Sequence, residues 1–248
     1  MHSSSMIAAN LRQVHARMAE AALRAGRDPA DVLLVAVSKT FSVEAILEAY
    51  AAGQRDFGEN RPEEGATKIP LVKERLGISS IGPVWHMIGH IQSRKADLVA
   101  AHFDLVHAVD RLKLAVKLNQ LACEAGRQIP VLLECNVSGE ASKYGYVAAG
   151  WETNSAVREA FRDEVAQVVL LPGLRVEGLM TMAPISDDAR IARRVFASLR
   201  GLRDYLREAF PVAGWMHLSM GMSDDFEAAI AEGATLVRIG RAIFGARL

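Results

Sequence analysis

A lysine closes a short apolar run near the start of the chain, Leu33-Leu34-Val35-Ala36-Val37-Ser38-Lys39-Thr40, and a segment of helical character follows at once. An amine held at the mouth of a strand is partly desolvated, so it gives up its proton more readily and can form a Schiff base with an aldehyde. The plainer alternative is a solvated lysine that merely ends a strand. A second chemical segment is His217-Leu218-Ser219-Met220-Gly221-Met222-Ser223-Asp224-Asp225-Phe226, which runs from a β-rich stretch through Ser and Gly into an acidic helical turn. Ser223 or Asp224 is placed to cap that helix, and free amides beside small side chains form an anion site; the alternative is an ordinary capped turn. The run Leu236-Val237-Arg238-Ile239-Gly240-Arg241 supplies the matching half. Gly240 permits close backbone approach, and Arg241 adds positive charge for the same anion. Arg238 differs in kind, because a guanidinium on a central strand needs a specific acceptor, either a ligand's ring nitrogen or a structural carboxylate.

Further polar residues sit where strands end: Phe57-Gly58-Glu59-Asn60, Trp85-His86-Met87-Ile88-Gly89-His90, Glu134-Cys135-Asn136-Val137-Ser138-Gly139-Glu140 and Met180-Thr181-Met182-Ala183-Pro184. His86 and His90 have the spacing of helical metal ligands, but a strand ends between them and Gly89 intervenes, so a pocket or core histidine is the better reading of His86. Asn60 and Asn136 either orient ligand groups or cap turns.

The elements that must position these residues alternate. Apolar positions recur at helical spacing from Ile7 to Arg24. Strands are then expected up to Lys39 and at Arg55 to Gly58, Val84 to Ile88, Leu105 to Val109, Val131 to Val137, Arg175 to Met180, Met216 to Ser219 and Leu236 to Ile239. Helices are expected at Ser42 to Ala52, Glu63 to Arg75, Ser93 to Ala100, Arg111 to Ala125, Glu152 to Val169, Asp187 to Phe210 and Ser223 to Glu232. Strict alternation demands a parallel sheet, because each crossover needs a helix. Eight units of roughly 30 residues match a closed (β/α)8 barrel with an extra N-terminal helix better than an open doubly wound sheet. No linker divides the 248 residues, so one barrel domain over 1–248 is expected. In a barrel the polar strand ends gather on the C-terminal rim, and phosphate is commonly held after the seventh and eighth strands.

Composition narrows the partners. Half of the chain is hydrophobic, and 29 basic residues balance 29 acidic ones, so no overall field favours nucleic acid or an anionic membrane. The two cysteines form no CxxC or Cys/His cluster, which argues against zinc and a disulfide scaffold. No secretory signal is evident at the start, and no apolar run approaches the roughly 20 residues of a bilayer span, so a cytoplasmic protein is expected. The opening Met1 to Ser5 is left out of the fold argument.

The segments Ala36–Lys39, Phe57–Asn60, Trp85–Ser93, Asn136–Gly145, Gly178–Pro184 and Leu218–Asp225, in order along nearly the whole chain, closely resemble the pyridoxal phosphate homeostasis proteins. These are single-barrel relatives of the alanine racemase N-terminal domain, the type III fold of pyridoxal phosphate (PLP) proteins. The resemblance implies that Lys39 holds PLP as a Schiff base and that Ser219, Ser223, Gly240 and Arg241 lie around its phosphate. Arg238 would face the pyridine nitrogen, with Asn60, His86, Met182 and Gly221 completing the pocket. Departures from the family pattern are Arg61-Pro62-Glu63-Glu64, Arg94 and Arg241, the last standing where a small hydroxyl residue is frequent.

An arginine beside the ring nitrogen disfavours its protonation and weakens the ring as an electron sink. Racemisation also needs a second acid/base, which alanine racemase draws from a partner subunit and an added β domain, whereas the barrel here is expected to consume the chain. The expectation is therefore a monomeric protein that stores, buffers or delivers PLP, with PLP-dependent apo-enzymes as transient acceptors. The rivals are an amino-acid racemase using Lys39 with Tyr144, His86 or water, and a barrel isomerase or synthase that places a sugar phosphate in the anion site. Lys143, in a Gly/Ser-rich segment, is read as solvated.

Overall fold

The computed structural model describes residues 6–77, 82–186 and 188–245. Nine strands follow in chain order among them: β1 Leu33–Val37, β2 Asp56–Glu59, β3 Val84–Met87, β4 Leu105–Val109, β5 Ile129–Asn136, β6 Tyr146–Val147, β7 Leu174–Met180, β8 His217–Ser219 and β9 Leu236–Ile239. All pairings are parallel, and the order β4-β3-β2-β1-β9-β8-β7-β5 closes through β4–β5 into an eight-stranded barrel. The two-residue β6 was not anticipated from sequence; it pairs Tyr146 and Val147 with Cys135 and Asn136 on the end of β5, outside the ring.

The helices are α1 Met6–Arg24, α2 Val43–Ala51, α3 Pro62–Leu76, α4 Ala96–His102, α5 Leu112–Glu124, α6 Ser155–Val169, α7 Ala189–Ala209, α8 Phe226–Ala231 and α9 Arg241–Phe244. Local chemistry sets their ends. Ser42, Asn154 and Asp188 each accept a backbone N–H of the first turn, and Gly77 closes α3 in the left-handed conformation. Asp187, the first residue of the expected seventh-unit helix, lies outside the described residues, as do Met1 to Ser5. The helix expected from Ser223 instead begins at Phe226. Ser223 to Asp225 form a turn in which the Asp225 carboxylate accepts the Met222 N–H at 2.6 Å, so neither Ser223 nor Asp224 is the cap.

The unit after β9 ends in the four-residue α9, too short to cover its strand. α1 makes good the gap: it packs beside α2, α8 and α9, with Leu11, Val14, Met18, Ala21 and Ala22 buried at helical spacing. Asn10 Nδ2 donates to Ile243 O at 2.8 Å and ties it to α9.

Side chains alternate along every strand. The outward set (Leu34, Ala36, Phe57, Val131, Leu133, Leu179, Val237 and Ile239 among them) joins helix residues such as Phe196 and Phe226 in one apolar layer. The inward set splits in two. Val35, Leu105, Leu132, Met180 and Leu236 form a small apolar cluster, while His86, His107, Glu134, Ser219 and Arg238 bring buried polar groups into the same interior. Barrel interiors are ordinarily filled by branched apolar residues, so this polar half needs a chemical reason.

Candidate functional site

Lys39 stands one residue past Ser38, beyond the end of β1, which is flanked by β2 and β9. Both neighbouring peptides are pinned. On α3, the Lys68 ammonium donates to Ser38 O at 2.8 Å, to Glu59 Oε1 at 3.0 Å and to Glu64 Oε1 at 2.6 Å. Glu64 in turn accepts the Thr40 N–H, and Ser38 Oγ–H donates to Glu59 Oε1 at 2.8 Å. Thr40 has φ 68°, a strained value for a β-branched residue that persists only where its surroundings impose it. Burial raises the Glu64 carboxyl, but the bonds from Lys68 and Thr40 outweigh it and hold it below the usual range; for Glu59 burial prevails over Lys68 and the carboxyl is raised. The clamp around the lysine thus consists of one ammonium between two carboxylates.

On the β2 side a cavity of about 310 Å³ is lined by Lys39, Thr40, Asn60, Arg61, Glu64, Gly89 and His90, near the lower bound of ligand pockets, about 300 Å³. Asn60 Oδ1 is buried there without a hydrogen-bond partner. A Cβ at Gly89 would meet Asn60 O at 2.3 Å, so only glycine allows the two strand ends to meet. His90 is held by Asp110 at 2.9 Å and stacks on the Tyr144 ring at 3.8 Å between centroids. On the β9 side, a Cβ at Gly240 would crowd Val37 O at 3.2 Å, which brings the β9 end against β1. Gly221, at φ 94°, lies so close to Ala229 and Phe226 that no side chain fits, and the turn it starts carries the half-buried Ser223.

Beneath the rim, Arg238 is 5% exposed. It donates from Nη1 to Ser219 Oγ at 2.5 Å and from Nη2 to Thr181 O at 3.0 Å. These uncharged acceptors stand where a barrel carboxylate was the alternative; Glu134 and Asp225 act on Arg238 through space. Burial lowers the guanidinium to about 10, partly offset by those carboxylates, so it stays cationic at neutral pH. Glu134 is pushed up to about 7 by burial and then by Asp110, against the pull of Arg238.

Four of the residues singled out by sequence take the following places. His86 is the core histidine of the two readings favoured for it, within the barrel and not among the rim residues of its segment: the third residue of β3 points inward, bonding His107 at 2.8 Å and Asp56 at 3.0 Å. Ser219, the last residue of β8, likewise turns inward onto Arg238 and His107 and so sits beneath the anion turn. The exposed Arg241 side chain is engaged by Asp224 at 2.5 Å. Lys143 is not simply solvated, since it donates to Met182 O at 2.8 Å and pairs with Glu140 at 2.6 Å. Of the two asparagines, Asn136 caps a turn through the Gly139 N–H and Glu140 O, while Asn60 faces the cavity. Met182 packs half-buried on the interior apolar cluster. The residues missed from sequence are Lys68, Glu64 and His107; the i,i+4 spacing of Glu64 and Lys68 was a readable signal, whereas nothing marked His107.

The family profile described as alanine racemase, N-terminal domain, matches residues 4–248. The chain is also 45% identical over 246 residues to the pyridoxal phosphate homeostasis protein of Escherichia coli strain K12, covering 97% of each. This chain belongs to the pyridoxal phosphate homeostasis protein family. Among solved structures, it matches PipY of Synechococcus elongatus, described with PLP bound, at 36% identity and TM-score 0.78 over 96% of this chain and 100% of that one. The alanine racemase of Clostridium difficile matches at TM-score 0.70 and 17% identity over 96% of this chain and 56% of its own, a likeness of fold alone. Membership in the homeostasis family is thus carried by sequence over almost the whole chain, and the racemase likeness by the barrel.

Proposed function

We propose that this protein binds PLP through a Schiff-base linkage to Lys39 and serves PLP homeostasis by storing, buffering or delivering the cofactor. The observation that carries the reading is the position of Lys39: clamped on both flanking peptides, with a cavity on one side, the Gly221–Ser223 and Gly240 turns on the other, and a buried cation below. The residues fit the group. Asn60 Oδ1 offers an unused acceptor, Gly240 and Gly221 keep the rim free of side chains, and Ser223 offers a hydroxyl beside them. Bound PLP supplies an aldehyde for an amine to trap and a ring able to draw electrons from an attached group.

The protein's own residues favour holding over turnover. Arg238 presents a permanent cation where the ring nitrogen would lie, which opposes protonation there. The rival use of His86 as an acid or base on the substrate conflicts with its bonds inside the barrel. In this reading residues 1–248 act as one barrel domain, as a cytoplasmic monomer that passes PLP to apo-enzymes. Among the described residues no helix is long and apolar enough to cross a membrane.

Incubation with PLP, borohydride reduction and peptide mapping test the linkage. The label is expected on the peptide carrying Lys39 and lost in Lys39→Ala, with stability changed by less than about 1 kcal/mol, since a rim side chain contributes little packing. Wild-type labelling of Lys39→Ala would refute the assignment. Incubation of the loaded protein with single L-amino acids tests holding against turnover, and D-isomer formed beyond stoichiometry and abolished by Lys39→Ala would establish a racemase instead.

A further inference from the structure

Behind Arg238 a line of buried polar groups crosses the barrel interior over five strands. Arg238 Nη1 on β9 meets Ser219 Oγ on β8; Ser219 Oγ meets His107 Nδ1 on β4 at 2.8 Å; His107 Nε2 meets His86 Nδ1 on β3 at 2.8 Å; and His86 Nε2 meets Asp56 Oδ1, at the start of β2, at 3.0 Å. His86, His107, Ser219 and Arg238 are each at most 5% exposed.

With both imidazoles neutral, the partners allow one arrangement of protons. Asp56 only accepts, so His86 carries its proton on Nε2 and accepts on Nδ1. His107 must then donate from Nε2 and accept on Nδ1, which draws the Ser219 hydroxyl proton toward it. Ser219 Oγ is left to accept from Arg238. Every bond therefore points from the cation to the carboxylate, an ordering in which each polarises the next. Burial above all, with the Arg238 cation adding to it, lowers the His107 imidazole and keeps it neutral.

Stability does not account for this line. Buried polar networks are often replaceable by apolar side chains without loss, and Val35, Leu105, Leu132, Met180 and Leu236 form such an apolar cluster in the same interior. What the line does is fix a rotor: without His107 the Ser219 hydroxyl turns freely and its lone pairs no longer bind the guanidinium in one direction.

We propose that His107 is a positioning residue for PLP binding, acting through Ser219 to hold Arg238 as a fixed cationic donor beneath the cofactor ring, with His86 and Asp56 anchoring the far end. The proposal rests on the reading that Arg238 faces the pyridine nitrogen. His107→Leu and Ser219→Ala each remove one link, whereas His107→Asn retains an acceptor toward Ser219. Both link-breaking variants are expected to keep the borohydride label on Lys39, to bind PLP about tenfold more weakly and to shift the visible absorbance band of the bound cofactor in the same direction. The double variant is expected to go no further than the worse single, and His107→Asn to restore the wild-type band. Leu132→Met, in the neighbouring apolar cluster, controls for stability and is expected to leave band and affinity unchanged. In the PLP-free protein, nitrogen-15 NMR is expected to find His107 neutral and protonated on Nε2.

Wild-type band and affinity in His107→Leu would overturn the proposal, as would a His107 proton on Nδ1. If His107→Leu fails to fold, Ser219→Ala decides by the same readouts. Absence of label on Lys39 in the wild-type protein would sink the PLP reading itself, whereas a labelled wild type with unmoved variants would sink only the role of His107.

Discussion

The two faces of the same eight strands have been put to different uses. Outward, Leu34, Ala36, Phe57, Leu133, Leu179 and Ile239 meet the helices in one apolar layer. Inward, His86, His107, Glu134, Ser219 and Arg238 share the barrel with an apolar cluster. The outer face provides the burial that makes the fold stable; the inner face gives up part of that burial to hold the Arg238 cation inside the barrel. A barrel can carry such a cost because its strands are covered on the outside and tied by a closed ring of backbone bonds.

Mutations should separate the two faces. The largest stability effect is expected outside: Phe196→Ala, which empties a fully buried site on α7, should cost about 3–5 kcal/mol in denaturant unfolding while the folded fraction still takes the borohydride label. A large change in PLP affinity per folded molecule would mean the faces are not independent.

Next comes Glu134, inside. Its carboxyl stands at about 7 in the fold against an ordinary 4.5. Between those values the folded protein keeps a proton that the unfolded chain has lost, so stability falls as pH rises through that window and levels off above about 7. Glu134→Gln removes this dependence. Relative to wild type it should gain on the order of 3 kcal/mol on going from pH 4 to pH 8, at about 1.4 kcal/mol per pKa unit. Parallel stability–pH curves for the two proteins would show that burial does not govern this carboxyl.

The smallest effect is expected at the rim. Arg241 and Asp224 are both largely exposed, and a double-mutant cycle between them should return at most about 0.5 kcal/mol, screened by salt. Arg241→Ala should change PLP affinity less than twofold, because its side chain is turned to Asp224. A tenfold loss would restore it as a phosphate ligand.

Much of this was legible in the sequence, and the limits of what was not are physical. β4 and β9 begin and end where their β-rich runs do, and α1 follows from its helical apolar spacing. Boundaries failed where a side chain had two uses: Asp225 binds the Met222 N–H and delays α8 to Phe226, a choice of partner that composition leaves open. Lys39, Asn60, Gly240 and Arg238 could be singled out from their places at or on strands, while for Asn60 and Arg238 the choice between a ligand-facing and a structural role stayed open in the sequence. Ser219 and His86 were identifiable as polar, but their direction was not, since alternation gives two faces and only closure of the barrel says which is inside.

What the amino-acid order alone determined, then, is the alternation of β and α units, the lysine at the end of the first strand and the small-residue turns after the seventh and eighth barrel strands. These follow from local periodicity and backbone freedom, which act within a few residues. Tertiary structure alone decided that Lys68 and Glu64 clamp Lys39, that α1 stands in for the short α9, and that His107 meets Ser219 across 112 residues of chain. Contacts at such separations depend on how eight strands tilt and close around one axis, and no local preference encodes them.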